Sequence, residues 1–441
     1  MPVERAFEPK EIYLSLSEVA VSAGSTVGVG ETLGKGADGM PMRSGISGKI
    51  SEITKISDSE YIVKAENDFE RRISDEVIPF GKENNIKVID LTTEMLVNVI
   101  ERASIGTRGK QISLSDRTIS QRILDSFGKA KQIVVNCVGT EPYDTSVGRI
   151  ILENSSDIIN GMKIVMSAMK IGEGVILLDY ENTEQAKVLS DLLNEKDNIK
   201  VVLADPAYPA DNEHNVIYTL TSIEISRARN AERVGCVIFD VREISAVGRA
   251  FVYGEPETHE IVTLSGDALS RPMNVSIPYG TKISEITAFC GMGNDESTRI
   301  FAGGVLRGRK VTGDDLFERG MSPVVVLNEA SVPSFNGIRC IRCGSCMRVC
   351  PMLLMPMYLN FAGASGIKSV GKLFDISSCV ECGLCQYVCP SEIPILENIR
   401  KMKNVVKDVK TDTTDEENKE NSENKEDKKD ESAQIGGGDK Q

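Results

Sequence analysis

Two short cysteine runs near the carboxyl end constrain this chain more than any other feature. Residues 340–351 have the sequence CIRCGSCMRVCP and residues 379–390 have CVECGLCQYVCP, with seven of the twelve positions identical. Each run follows C-x2-C-x2-C-x3-C-P, the bacterial ferredoxin pattern in which the fourth cysteine of a run ligates the other of two clusters. The repeat therefore predicts a small ferredoxin-like domain with two [4Fe–4S] clusters.

The spacing also predicts how the ligands divide. Three thiolates on one tight loop can reach three corners of an iron–sulfur cube, while the fourth begins the next segment and the proline after it ends the loop. Each cluster thus takes three cysteines from one run and the fourth from the other. The predicted ligands are Cys340, Cys343, Cys346 and Cys389 for the first cluster, and Cys379, Cys382, Cys385 and Cys350 for the second.

Zinc is the alternative occupant of these cysteines. Structural zinc sites usually combine one C-x2-C pair with a distant second pair and are complete with four ligands. Two runs of four, each ended by proline, favour iron–sulfur clusters instead. The other three cysteines, Cys137, Cys236 and Cys290, lie in or beside apolar runs and are predicted to be buried, inert thiols.

Length and charge narrow the class of protein. A chain of 441 residues predicts about two to four domains. Its net charge of −14 argues against a nucleic-acid partner. The first ten residues have no apolar stretch typical of a secretory signal, and the longest uncharged stretch of note, 351–367, contains prolines and is too short to span a bilayer. We therefore predict a chain without a transmembrane segment of its own.

Composition and periodicity predict a multidomain α/β plus β fold. The runs QIVVNCV, VILLDY, IKVVLAD and VGCVIFDV alternate with helical patterns, which indicates a parallel sheet covered on both faces. The predicted regions are a glycine-punctuated β domain at 1–75 in the form of a small hybrid barrel, an α/β domain at 76–255, a small mixed β domain at 256–335, the cysteine domain at 336–400 and a disordered acidic tail at 401–441.

Apart from the cysteines, few residues are candidates for a ligand-binding or catalytic site. The stretch 134–149, VVNCVGTEPYDTSVGR, begins at the end of a predicted parallel strand, where α/β folds bind ligands, but a plain strand-to-helix loop would look the same. The loop 101–113, ERASIGTRGKQIS, has two glycines and basic residues but no phosphate-binding motif, so a structural turn is favoured. His214 and His259 have no spaced partner, and we assign no catalytic residue.

Several of these motifs occur in order in a known family. The glycine-rich N-terminal segment, NCVGTEPYDT, YPADNEHNVIYTLT, LSGDALSRPMNV, FAGG and the two cysteine runs resemble the C subunit of the Rnf ion-translocating electron-transport complex. The resemblance implies that residues 76–255 form a Rossmann-like sheet similar to the flavoprotein subunit of respiratory complex I, followed by a β-grasp domain of the soluble ligand-binding type. In bacterial members this region is taken to bind FMN and NADH, and the family's flavin segment maps onto Asn136, Glu141, Pro142 and Tyr143.

The chain departs from that family at three places. The family's glycine-rich loop appears here as SIGTRGKQIS, its Gly-Gly-Pro-Met-Met-Gly as GGVLRG with Arg307, and its YPQG as YPAD with Asp211. Side chains thus occupy positions where backbone would approach a phosphate. These departures predict that NADH binding is lost and argue against FMN, as in the archaeal, methanogen branch of the family.

The resemblance implies a function without a substrate pocket. The chain is expected to be a peripheral iron–sulfur subunit on the cytoplasmic side of the cell membrane, in an ion-translocating oxidoreductase complex, with little catalytic chemistry of its own. It would relay electrons from ferredoxin, directly or through a partner subunit, to other redox subunits. The alternative is an NADH- and FMN-dependent flavoprotein subunit with the same iron–sulfur relay.

Overall fold

The computed structural model of this chain describes residues 2–5, 7–83, 87–107, 117–139, 141–205, 207–225, 231–293, 297–334 and 339–406. Residues up to Pro333 form one compact unit and those from Ser334 onward form a second. In the described part of the chain, no helix combines the length and the hydrophobicity that a bilayer crossing requires.

The first unit begins with eight strands. They are β1 (Val3–Glu4), β2 (Glu11–Leu16), β3 (Glu18–Val19), β4 (Thr26–Val27), β5 (Thr32–Lys35), β6 (Pro41–Arg43), β7 (Gly48–Ser57) and β8 (Glu60–Asn67). Strands β2 to β8 form two antiparallel sheets. One sheet has the order β2-β8-β7-β4 and another β3-β5-β6. In β2 every second side chain is buried, namely Ile12, Leu14 and Leu16, which is the alternation of a strand with one face on a core.

An α/β region follows. Its helices are α1 (Phe80–Glu83), α2 (Thr93–Arg102), α3 (Ile119–Ser126), α4 (Ser146–Glu153), α5 (Ser155–Met169), α6 (Thr183–Asp191), α7 (Glu213–Thr221) and α8 (Val241–Tyr253). Its strands are β9 (Gln132–Asn136), β10 (Glu173–Asp179), β11 (Ile199–Ala204) and β12 (Cys236–Asp240), all parallel in the order β11-β10-β9-β12. The predicted parallel sheet is confirmed, and its strands coincide with the four apolar runs.

The strand order creates a topological switch point in this sheet, and we call the region beyond it the switch-point crevice. The chain runs outward from β9 to β10 and β11, and then returns to place β12 on the other side of β9. The order therefore reverses between β9 and β12, and in open α/β sheets ligands bind beyond the carboxyl ends of strands at such a switch point. Asn136 and Asp240, which end these two strands, lie opposite each other there.

A mixed sheet completes the first unit. It contains β13 (His259–Ser265), β14 (Met273–Pro278), β15 (Thr298–Ala302), β16 (Arg309–Val311) and β17 (Val324–Asn328), with helix α9 (Ile283–Phe289) between β14 and β15. The order is β1-β14-β13-β17-β15-β16, so the first strand of the chain joins its edge. Ile12 and Val63 belong to the same buried cluster as Val262 and Phe317, so the N-terminal strands and this sheet share one core.

The second unit is helical. It contains α10 (Ser345–Arg348), α11 (Pro356–Ser365), α12 (Lys368–Leu373), α13 (Leu384–Tyr387) and α14 (residues 395–406). Asn398 on α14 donates a hydrogen bond to Asn360 on α11, with the nitrogen and oxygen 2.9 Å apart. Helix α14 extends into the segment that we predicted to be a disordered tail from residue 401, and residues 407–441 of that tail lie outside the described part of the chain.

Candidate functional site

The two cysteine runs fold into matching loops. In the first, Arg342 has a φ of 57° and Gly344 one of 77°, and in the second Glu381 has 56° and Gly383 has 80°. A residue with positive φ turns the chain sharply, and glycine does so without steric cost. The two glycines each precede a one-turn helix, α10 or α13, that carries the third cysteine of the run.

The first loop lines a cavity with about 400 Å³ of empty space, part of which is open to solvent. Its lining includes the first three cysteines of this run and one cysteine of the other run: Cys340, Cys343, Cys346 and Cys389. Met357, Ile393 and Ile395 contribute apolar surface to the same lining. These four cysteines are the set that the spacing predicts for the first cluster.

The second loop encloses a similar cavity of about 360 Å³. Its lining contains the complementary set of cysteines: Cys350, Cys379, Cys382 and Cys385. In the described residues, no three cysteine, histidine or acidic side chains come close enough together to hold a single ion. The four thiols of each set line one cavity.

The two cavities differ in exposure. Cys340 and Cys343 are exposed, whereas Cys382 and Cys385 are buried. Burial raises the pKa of Cys379 to about 11 and also raises the pKa of Cys385. These thiols are therefore protonated at neutral pH until a metal displaces the protons, because only the thiolate is a ligand.

An ion-pair cluster holds the second loop. Glu381, between Cys379 and Cys382, accepts from Arg400 Nε at 2.9 Å and from Lys403 Nζ at 2.7 Å, and Lys403 also donates to the Cys379 carbonyl oxygen at 2.7 Å. Burial opposes ionisation of Glu381, but the two cations outweigh it and keep the pKa of this carboxyl below its ordinary value. The cations lie on α14, so this helix fixes the loop.

The switch-point crevice of the first unit contains charged side chains of the protein itself. Asn136 donates to the Ala210 carbonyl oxygen at 3.3 Å, which brings the 208–211 segment to the carboxyl end of β9. Arg307 lies between two acids there. Its Nε is 2.8 Å from Glu141 Oε1 and its Nη1 is 2.9 Å from Asp211 Oδ1. We call these three residues, Glu141, Asp211 and Arg307, the crevice triad.

The crevice triad is closely packed and almost inaccessible to water. Arg307 is 3%, Asp211 7% and Glu141 8% exposed. Tyr208 donates to Glu141 at 2.9 Å and the Leu306 amide donates to it at 3.2 Å. A side chain at Gly304 would collide with the Glu141 carboxylate. Two of the three departures from the family pattern, Arg307 and Asp211, are thus partners in one ion pair.

Burial and charge act against each other in the crevice triad. Burial raises the pKa of Glu141 and of Asp211, and the Arg307 guanidinium opposes both shifts. Burial alone would lower the pKa of Arg307, but Asp211, Tyr208 and Glu141 outweigh it and raise that pKa above its ordinary value. The guanidinium therefore stays charged and pairs with both acids, although its single charge can balance only one of them when both are ionised.

The two flavin-site residues that follow Glu141 in the chain differ from it in burial. Pro142 and Tyr143 are exposed, and Tyr143 has a φ of 70° in the loop. In the predicted glycine loop, Arg319 donates to the Ser104 carbonyl oxygen at 2.7 Å and covers Gly106, where any side chain would collide with it. Residues 108–113 of that loop lie outside the described part of the chain.

The remaining candidates are structural. Cys137, Cys236 and Cys290 are buried, as predicted. His259 Nδ1 lies 2.8 Å from Thr258 Oγ1, and burial lowers the pKa of His259 to about 4. The sequence-based prediction missed the Arg307 contacts, the position of Arg319 and the Glu381 ion pairs. One signal was available, because a base and an acid replace neutral family residues at two separate motifs.

Two family models match this chain. The Nuo51 FMN-binding domain matches residues 119–249, and a 4Fe-4S dicluster domain matches residues 339–393. The second match supports the iron–sulfur prediction. The first covers the parallel sheet and Glu141, but it ends before Arg307.

Curated relatives share one description, the C subunit of an ion-translocating oxidoreductase complex. The relative of this description in Buchnera aphidicola subsp. Acyrthosiphon pisum is 27% identical over 72% of this chain and 66% of its own length. The one in Buchnera aphidicola subsp. Baizongia pistaciae is 30% identical over 72% and 63%. The C subunit of the "Proton-translocating ferredoxin:NAD(+) oxidoreductase complex" of Clostridium ljungdahlii is 28% identical over 55% and 53%.

These matches span about half to two thirds of the relatives' own lengths. One solved structure, the NAD+-reducing [NiFe]-hydrogenase in the air-oxidized state, aligns with a TM-score of 0.49 and 12% identity over 73% of this chain and 65% of that chain. A score of this size supports no argument about cofactors.

Proposed function

We propose that this chain, a homologue of the C subunit of Rnf-type ion-translocating oxidoreductase complexes, is a peripheral iron–sulfur protein that relays single electrons. Its partners would be the other subunits of a membrane-bound complex on the cytoplasmic side. The donor would be ferredoxin, acting directly or through one of those subunits. No bond chemistry is assigned to the chain itself.

One observation carries this proposal. Each cysteine run contributes three thiols to one cavity and its fourth thiol to the other, as two clusters with exchanged ligands require. We therefore propose Cys340, Cys343, Cys346 and Cys389 as ligands of one [4Fe–4S] cluster and Cys379, Cys382, Cys385 and Cys350 as ligands of the other. Bound there, two such clusters would supply two one-electron carriers within a single small unit.

We also propose that the switch-point crevice takes neither FMN nor NADH. A phosphorylated ligand would have to displace Arg307 and leave Glu141 and Asp211 as buried, uncompensated acids. Such acids would also repel a phosphate. Of the predicted flavin-site residues, Asn136 and Glu141 are already bonded to protein groups, and Pro142 and Tyr143 are exposed.

The alternative function is an NADH- and FMN-dependent flavoprotein subunit with the same relay. The match of residues 119–249 to an FMN-binding domain favours it. The contacts of Arg307, which lies outside that match, favour the relay alone.

The division of the chain into domains is part of the same proposal. We propose a small hybrid barrel at 1–75, a Rossmann-like domain at 76–255, a β-grasp domain at 256–335 and a ferredoxin-like domain at 336–400. The parallel sheet, the mixed sheet with α9 and the paired cysteine loops support these assignments.

Cofactor analysis of the full chain tests the proposal. After anaerobic isolation or reconstitution, we expect about eight iron and eight labile sulfide per chain. FMN titrated to about 0.1 mM should not bind, a limit that corresponds to about 5.5 kcal/mol of binding free energy. Zinc in place of iron would overturn the relay, and tight FMN binding with NADH-dependent bleaching would establish the alternative.

A further inference from the structure

The two cysteine loops carry opposite charge. Residues 339–350, RCIRCGSCMRVC, contain three arginines and no acid, a charge of +3. The equivalent residues 378–389, SCVECGLCQYVC, contain one acid and no base, a charge of −1. The loops thus differ by four charges although their backbones match, and the positive one belongs to a chain whose net charge is −14.

The positive loop is also the accessible one. Arg339, Arg342 and Arg348 are exposed, and so are the ligand candidates Cys340 and Cys343 between them. Ile341 is 65% exposed in the middle of this surface. We call the exposed residues 339–343 together with Arg348 the arginine face.

Arg342 and Glu381 occupy equivalent positions but have different roles. Glu381 is held by Arg400 and Lys403 and so stabilises its own loop. Within the described residues, Arg342 makes no ion pair, and its side chain is exposed beside the first cavity. Arg348 is different again, because its guanidinium donates to the Cys343 carbonyl oxygen at 3.2 Å and to Ser345 Oγ at 2.9 Å.

Charge and exposure together indicate what this surface contacts. Electron transfer between proteins needs a redox centre close to the contact surface. A chain of net charge −14 repels an acidic protein at long range, so a local cluster of cations favours one place and one orientation for such a protein to dock. The fourth proposed ligand of the first cluster is Cys389, and the acid nearest to it in the chain is Glu392. Glu392 accepts a hydrogen bond from Ser334 Oγ at 2.9 Å.

We propose that the arginine face is the docking surface for an acidic electron-carrier protein, and that Arg342 positions this partner against the first cluster. The proposal rests on the proposed function, because it needs a cluster in the first cavity. One electron passes between the reduced centre of one protein and the oxidised centre of the other, and no bond changes. The buried second cluster would then exchange electrons with the first.

A charge-reversal pair tests the proposal. Arg342→Glu is compared with Lys401→Glu, which makes the same change of two charge units at a residue that is 62% exposed on α14 and paired with Glu397. The probe is an acidic plant-type ferredoxin, and the measured quantity is the second-order rate constant of electron exchange with the full, cluster-loaded chain in the downhill direction, by stopped flow.

At low ionic strength we expect Arg342→Glu to lower this rate constant at least about tenfold and Lys401→Glu to lower it less than about twofold. The difference should nearly vanish at about 1 M salt, where screening acts within a few ångströms. Equal effects of the two variants would overturn the proposal. A faster reaction for Arg342→Glu would overturn it in favour of the chain's own acidic residues 411–441 as the occupant.

Three controls separate the causes of failure. Iron content and reduction by methyl viologen show whether each variant retains its clusters, and Arg342→Gln replaces Arg342→Glu if the latter loses them. A wild-type chain without iron would instead refute the proposed function. Loss of binding to anionic phospholipid vesicles in Arg342→Glu, with an unchanged ferredoxin rate, would overturn the proposal in favour of a membrane surface.

Discussion

The switch-point crevice and the two cysteine cavities both lie where folds of these classes bind a group that is not protein. In the crevice, the buried Arg307 pairs with both Glu141 and Asp211. In each cavity, four thiols line the site. A ligand site is closed when the side chains around it already satisfy one another.

Chemistry explains the contrast. Arginine and carboxylates pair through charge-assisted hydrogen bonds, so removing the buried arginine would leave both acids without a cation. Thiols are weak hydrogen-bond donors and acceptors and have no such partner in each other. Burial holds the pKa of Cys379 near 11, so this site gains its charged form only when a metal replaces the proton.

The largest expected effect is the loss of iron when the cysteines that line the cavities are replaced. In the variant Cys340→Ser/Cys343→Ser/Cys346→Ser, iron should fall from about eight to about four per chain. Adding Cys389→Ser should change nothing further, whereas adding Cys350→Ser should remove the remaining iron. Iron analysis with electron paramagnetic resonance measures this, and Cys290→Ser, a buried cysteine outside the runs, is the control. The reverse result for Cys389 and Cys350 would contradict the exchanged ligands.

The next largest effect is the loss of stability when Arg307 of the crevice triad is replaced. Arg307→Met leaves two buried acids without a cation and should lower the free energy of unfolding by about 3–5 kcal/mol. Urea denaturation monitored by circular dichroism measures the loss. Arg309→Met, two residues away and exposed, should cost less than about 0.5 kcal/mol. The triple variant Arg307→Met/Glu141→Gln/Asp211→Asn should recover part of the loss, and a cost of less than about 1 kcal/mol for Arg307→Met alone would mean that the crevice triad contributes little.

The smallest expected effect is a pH dependence of stability that His259 gives to the first unit. The pKa of His259 is lowered to about 4, so the folded protein keeps the ring neutral while the unfolded chain takes up a proton below pH 6.5. The resulting stability is fully present above pH 6.5 and is lost as the pH falls towards 4, about 3 kcal/mol in total. Neighbouring Arg249 disfavours the charged ring in the same direction.

His259→Gln should remove this contribution and flatten the pH dependence of unfolding of the first unit. Both histidines of the sequence, His214 and His259, belong to that unit, so the second unit should not change. Hydrogen exchange followed by mass spectrometry resolves the two units. An identical pH slope in wild type and variant would contradict the assignment.

Much of the fold was predictable because local patterns encode it. The four parallel strands follow apolar runs of five to seven residues, and each cysteine loop follows a fixed spacing. Long-range placement was not predictable. The pairing of β1 with β14 and the contact of Arg319 with Gly106 join segments far apart in the chain, and no periodicity records such contacts.

Spacing and apolar periodicity are local properties, so the amino-acid order alone predicts two tight loops with eight cysteines and a parallel sheet after residue 76. The pairing of Arg307 with Asp211, 96 residues away, is a property of the folded chain, and so is the contrast between an exposed Arg342 and a Glu381 held by Lys403. The physical reason is that Coulomb energy depends on distance in space and on burial, and the fold sets both.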